Sequence, residues 1–131
     1  MGGPRLLLSL LPDTFAICRL DKGAPIPAWA LEGTFVSITR TLDEVSIVCS
    51  QVHVPEGVKC ESGWRCVKVE GPLSFSLTGV LASIATPLSR AGISVFAVST
   101  YDTDCVLVKE NDLNGALLAL SQEGHTLLGR G

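Results

Sequence analysis

Displaced by sixty residues, the segment Phe35 to Val48 lies over Val95 to Val108 with no gap, so that two apolar runs and the turn between them superpose. Ile38, Val45, Ile47 and Val48 meet Val98, Cys105, Leu107 and Val108, while Thr39 meets Ser99 and Glu44 meets Asp104. Short apolar runs also resemble one another by chance, so the rest of each copy has to carry the reading. A true repeat of this length makes the chain two copies of one supersecondary unit.

The second copy is complete by pattern. A strand from about Cys66 to Phe75 precedes a helix opening at Gly79, where Val80, Leu81, Ile84 and Leu88 recur at helical spacing and Gly92 can close the last turn. Two strands follow, then a helix from Leu113 to Gln122 with Asp112 before it and Gly124 after it, and a last strand at His125 to Leu128. Strand-helix-strand-strand-helix-strand is the ferredoxin-like order. Pro87 either kinks the first of these helices or ends it at Thr86, because it has no amide to donate to Ser83. The first copy has strands near 5–11, 14–20, 34–40 and 44–49, with its helices reduced to Ala28 to Glu32 and a turn at Pro55-Glu56-Gly57. The fold class is α+β, two ferredoxin-like βαββαβ subdomains in tandem.

The division is expected between an N-terminal subdomain over 1–63 and a C-terminal one over 64–131. Trp64 to Phe75 is too long for one small strand, and Gly71-Pro72 interrupts it. Arg65 to Glu70 is therefore expected to serve the first sheet as its last strand, and Leu73 to Leu77 to open the second.

The 131 residues are 47% hydrophobic and only 18% charged, enough to build a core and suggestive of surplus apolar surface covered by a homodimer. The net charge of −3 and the scattered Lys and Arg exclude nucleic acid and anionic membranes as natural partners. Arg5 and the leucines after it resemble the start of a secretory signal, but the run is short and Pro12-Asp13 stops it without a cleavage site. No segment approaches the roughly 20 apolar residues of a membrane-spanning helix, so a cytoplasmic protein is expected. Five cysteines without a Cys-x-x-Cys read as buried free thiols, with Cys60 and Cys66 flanking a loop that could permit a bridge.

Catalysis finds little support. His53 and His125 lie in different halves with no nucleophile or acid at a fitting spacing, and each reads as a neutral surface or strand-edge residue. No cluster has metal-ligand spacing, Gly2-Gly3-Pro4 lacks the lysine and helix of a phosphate loop, and no cofactor is implied. Two features could bind instead. Thr78-Gly79 begins a helix whose first amides could hold a carboxylate, or it is only a capped tight turn. Asp102 and Asp104 flank Thr103 and should share a face; Asp102 suits a turn role, and Asp104 suits an ammonium group.

The segments Gly71-Pro-Leu-Ser-Phe-Ser-Leu-Thr-Gly-Val-Leu-Ala, Ala91-Gly-Ile-Ser-Val-Phe-Ala and Ser99-Thr-Tyr-Asp-Thr-Asp-Cys-Val-Leu-Val together resemble the small tandem ACT-domain proteins. Such proteins are similar to the regulatory ACT units of aspartate kinases and to the ACT-containing cytosolic arginine sensors. The resemblance spans residues 64–124 and reaches the first half more weakly through Glu44-Val-Ser-Ile-Val-Cys. It implies a non-catalytic regulatory module that binds a free amino acid where ACT units meet, commonly as a dimer. Carried over, Thr78, Gly79, Val80 and Leu81 would form the binding loop and helix start, Ile93 and Ser94 would offer backbone groups, and Asp104 would meet the ammonium or basic end. The alternative is an interaction module with a vestigial pocket.

Overall fold

The computed structural model describes residues 3–128, leaving Gly2 and Arg130 outside the description. The chain divides into two compact units, one from Met1–Pro12 and Arg65–Gly131, the other Asp13–Trp64. Strands β1 (Leu7–Asp21) and β4 (Cys60–Val69) each supply residues to both. Residues 3–12 thus pack with the C-terminal part, not with the N-terminal subdomain to which the sequence reading assigned them. The reason is local: Leu6 and Leu8 are buried in the C-terminal unit's core, and Leu7 to Ser9 pairs in parallel with β7 (Thr126–Leu128).

In that unit the motif runs β4, α1 (Val80–Arg90), β5 (Phe96–Ser99), β6 (Asp104–Lys109), α2 (Leu113–Gln122), β7. This is the ferredoxin-like order, with the start of β1 lying between β7 and β4 and with β6 then β5 beyond. One face buries Val67, Val69, Val106 and Val108 against Val80, Ile84 and Leu88 of α1 and Leu113, Ala116 and Leu120 of α2. Those helical positions recur every three or four residues, which is why the sequence forms helices here. Both helices close in the same way. The Gly92 and Ile93 amides donate to Ser89 and Leu88, and the Gly124 and His125 amides to Ser121 and Leu120, satisfying carbonyls that helix ends leave free. α1 runs unbroken through Pro87, neither shortened nor stopped at Thr86.

The other unit orders its strands β2 (Ser37–Arg40), β3 (Glu44–Ser50), the end of β1, then the start of β4. Its core gathers Ala16, Cys18, Ala30, Val45, Ile47 and Cys49. Its helices are reduced to single 3-10 turns, one at Ala28–Leu31 as expected and one at Gln51–His53, ahead of the expected Pro55 to Gly57, where the chain makes only a turn. β1 is continuous where two strands were expected; Pro12 fixes a φ that extended chain tolerates and removes only one donor.

The two hairpins are copies, but one residue out of the expected register. The Thr41 amide donates to Glu44 O at 2.9 Å and the Thr100 amide to Thr103 O at 2.8 Å, and each threonine hydroxyl accepts from the amide that closes its own turn. The flanking pairs are Arg40↔Val45 and Ser99↔Asp104. The offset is 59, so the counterpart of Asp104 is Val45 and that of Glu44 is Thr103. Because side chains alternate along a strand, one residue of slip changes the face. Asp104 shares its face with Val106 and Val108, the side on which the helices pack.

Leu73 to Leu77 is not a strand, and Arg65 to Val69 serves the C-terminal unit as well as ending β4. Pro72 has no amide for a ladder, and beyond it the Ser74 hydroxyl accepts from the Ser76 amide at 3.2 Å while the Leu77 amide donates to Ser74 O at 3.0 Å. Local bonds of this kind compete with a sheet and turn the chain. All five cysteines are free. Cys60 and Cys66 lie six residues apart along one strand, roughly 20 Å at strand rise, far beyond a bridge. Cys60 is exposed, unlike the other four, which are buried as expected.

Candidate functional site

The loop that replaces the expected strand, and the turn of the second hairpin, face each other in the C-terminal unit. The Leu73 amide donates to Asp102 O at 2.6 Å, and the rings of Phe75 and Tyr101 meet edge to face with centroids 4.7 Å apart. Gly71 makes the approach possible, since a Cβ there would stand 2.8 Å from Asp102 O. The buried Thr103 hydroxyl donates to Val69 O at 2.6 Å and fixes the turn to β4. Between loop and turn lies a cleft of about 220 Å³. Leu73, Ser74, Phe75 and Leu77 form one wall, Ser99 to Asp104 the other, and Val80 contributes from the helix start.

Val80 is the first helical residue of α1, preceded by Gly79 as cap at φ 80° and ψ 1°. That left-handed conformation disfavours any residue with a Cβ. No side chain caps this end and its first turn holds no acid, so Thr78 does not act as the cap. The first amides of a helix have no partner within the helix and carry partial positive charge. Asp102 and Asp104 line the wall opposite Leu73 to Leu77, while no Lys, Arg or His is among the lining residues. The Ser99 hydroxyl donates to Asp104 Oδ1 at 2.7 Å, which orients a half-buried carboxylate. The arrangement can attract a cation at one end and an anion at the other.

Of the residues singled out from the sequence, Val80 and Asp104 line this cleft together. Gly79 holds the helix start but lines a different cavity, of about 330 Å³, with Pro4, Ser83, Arg90 and His125 among its neighbours. Thr78 and Leu81 are exposed and do not line the cleft. Ile93 is packed into the core and Ser94 is exposed, both beyond the far end of α1, about 16 Å from its start at helical rise. Sequence reasoning missed the wall from Leu73 to Leu77 and the aromatic pair. The signal was present in Gly71-Pro72 followed by two serines, a turn composition.

Residues 59–122 match a family model described as the ACT domain. The chain is an ACT-domain protein. A second model, described as an N-terminal domain, matches residues 13–57, within the other compact unit. Among curated relatives, the Cytosolic arginine sensor for mTORC1 subunit 1 of Homo sapiens is 41% identical over 64 residues, which cover 47% of this chain and 20% of that protein. The match thus spans about a fifth of the length of that relative. A crystal structure of an Agrobacterium tumefaciens protein is 47% identical with a TM-score of 0.91, covering 96% of this chain and 94% of its own. The regulatory subunit of aspartate kinase from Thermus thermophilus, in ligand-free form, shares the fold at 12% identity and a TM-score of 0.63, with 88% of this chain and 95% of that one covered. The ACT match begins at the start of β4 and ends with α2, so it includes the whole cleft. Among the described residues no helix is long and apolar enough to cross a membrane.

Proposed function

We propose that this ACT-domain protein is a cytoplasmic, non-catalytic regulatory module that binds a free amino acid in the cleft beside Asp104. The observation that carries the reading is the pairing, in one cleft, of an uncapped helix start at Val80 with the carboxylates of Asp102 and Asp104. An amino acid has the complementary ends: its carboxylate suits the helix amides and its ammonium group suits Asp104. Two carboxylates and no cation favour a ligand with a second positive charge, hence a basic amino acid.

The rim of the cleft favours a second copy of the chain as its cover. Phe75 is 76% exposed and Tyr101 80% exposed, with Leu77 beside them, and apolar side chains of this size grouped at a surface mark a contact. A homodimer formed there closes the cleft over its ligand. The same rim supports the second reading, an interaction module in which the cleft binds nothing.

Calorimetric titration with each free amino acid at millimolar concentration separates the two. The expected result is saturable binding of a basic amino acid, weakened by about 1.5–3 kcal/mol in Asp104→Ala, the range for a lost charge-assisted hydrogen bond. A dimer that forms without ligand, and a protein that answers no amino acid, would sink the sensor reading and leave the interaction module.

A further inference from the structure

Three thiols, Cys18, Cys49 and Cys60, lie side by side on the sheet of the unit Asp13–Trp64. We propose that two of them, Cys18 on β1 and Cys60 on β4, are a redox pair that closes to a disulfide when the protein meets a peroxide.

The strand geometry sets the pair. The Arg19 amide donates to Lys59 O at 2.9 Å, and β4 begins at the next residue, so Cys18 and Cys60 stand directly opposite each other. They form a non-hydrogen-bonded pair of antiparallel strands, the closer of the two kinds, with Cα atoms about 4.5 Å apart. A disulfide needs Cα atoms roughly 4.4–6.8 Å apart, so the backbone need not move far. The Cys18 thiol is close enough to both Cys49 and Cys60 for each to raise its pKa. Cys49 is the third thiol. The pairing Ala16↔Cys49 and Cys18↔Ile47 puts it diagonal to Cys18 on the neighbouring strand. Among the described residues no group of three or more His, Cys, Asp or Glu is arranged to hold a metal ion, which leaves sulfur chemistry as the use of the cluster.

The two members differ in the way such chemistry requires. Cys60 is exposed and opens on a cavity of about 410 Å³ beside Ala16, Val54 and Val58. Cys18 is buried, and burial together with the neighbouring Cys49 and Cys60 pushes its thiol up to about 12. Oxidation therefore starts at Cys60. Its thiolate attacks one peroxide oxygen, the O–O bond breaks, and the departing hydroxide takes the thiol proton to leave as water. The sulfur of Cys18 then displaces the hydroxyl of the resulting sulfenic acid, which leaves as a second water with the Cys18 proton. Two sulfurs lose two electrons, and one peroxide becomes two waters.

Trypsin places the three thiols on separate peptides, Leu6 to Arg19, Thr41 to Lys59 and Cys60 to Arg65. The native full chain is exposed to hydrogen peroxide, alkylated, and digested without reductant for mass spectrometry. The expected product is Leu6–Arg19 joined to Cys60–Arg65, two hydrogens lighter than their sum and separated by dithiothreitol. In Cys18→Ala that product disappears and a sulfenic acid at Cys60 becomes trappable by dimedone; in the exposed Cys60→Ser variant, Cys18 survives peroxide unmodified. A link from Cys60 to Cys49, a link to Cys60 of a second copy, or oxidation of Cys60 without any link overturns the assignment.

Discussion

His125 Nε2 donates to the Ser83 carbonyl at 2.9 Å, the acceptor that Pro87 leaves without an amide one turn later in α1. The tautomer follows from the other ring nitrogen, because Nδ1 accepts from the Leu6 amide at 3.0 Å and so carries no proton. His125 is only 6% exposed, so it is not a surface residue, though it does stand immediately before strand β7. It joins the N-terminal segment to α1 and gives the Ser83 carbonyl the partner that Pro87 cannot supply.

Removal of the ring should therefore cost more than its volume. His125→Ala leaves the buried Leu6 amide and the Ser83 carbonyl without partners, and we expect a loss of about 2–4 kcal/mol in urea unfolding. His125→Phe restores the packing but not the bonds. It should recover only part of the loss; full recovery would mean that packing alone fixes the N-terminal segment.

Gly71 makes a second such contact. Substitution by alanine would put a Cβ 2.8 Å from Asp102 O and 3.2 Å from Thr103 Cβ, and the first of these is backbone that cannot step aside. Gly71→Ala is expected to cost about 1–3 kcal/mol. It should also weaken any amino-acid response measured by calorimetry, because the Leu73-to-Asp102 bond that holds the walls of the cleft together must lengthen.

Local patterns were legible from the sequence and partners were not. α2 has the expected bounds, Leu113 to Gln122, because both its apolar spacing and its Gly124 terminator are local. The reduced helix at Ala28–Leu31 was equally plain, whereas the one at Gln51–His53 falls a few residues before its expected place. Asp104 does line the cleft, yet its repeat counterpart was misassigned by one position, since Val45 and Glu44 both sit among residues that alternate by face and only the turn bonds fix the count. Leu73 to Leu77 reads as an apolar run until the serine bonds that bend it are considered. That Leu6 and Leu8 pack with residues 65–131 is a matter of which strand a segment pairs with, and pairing over more than a hundred residues leaves no mark in local composition.

The corrected register yields a prediction about Asp104. Its counterpart Val45 is a fully buried core valine, so a carboxylate occupies a position whose face belongs to the core. Asp104→Val should remove the desolvation cost of a half-buried charge and add apolar burial, raising stability by about 0.5–1.5 kcal/mol. The same variant should abolish amino-acid binding. A destabilised Asp104→Val protein would mean that the Ser99 bond outweighs the cost of the charge. Exchange of stability for a polar group is what a binding residue entails.

The thiol of Cys18 makes stability depend on alkaline pH. Burial, then the neighbouring Cys49 and Cys60, raise it from 9.0 to about 12 in the folded protein, so the folded state holds this proton more tightly than the unfolded chain does. A group with a raised folded value contributes fully below the unfolded value and loses its contribution as pH rises towards the folded one. Stability should accordingly decline between about pH 9 and 12. Comparison with Cys18→Ala isolates the contribution of this one thiol. Thermal unfolding at pH 8 and at pH 10.5 should show a larger fall in Tm for the native chain than for the variant. Equal falls would mean that Cys18 titrates alike in the folded and unfolded protein, and would leave exposure as the sole ground for Cys60 reacting first.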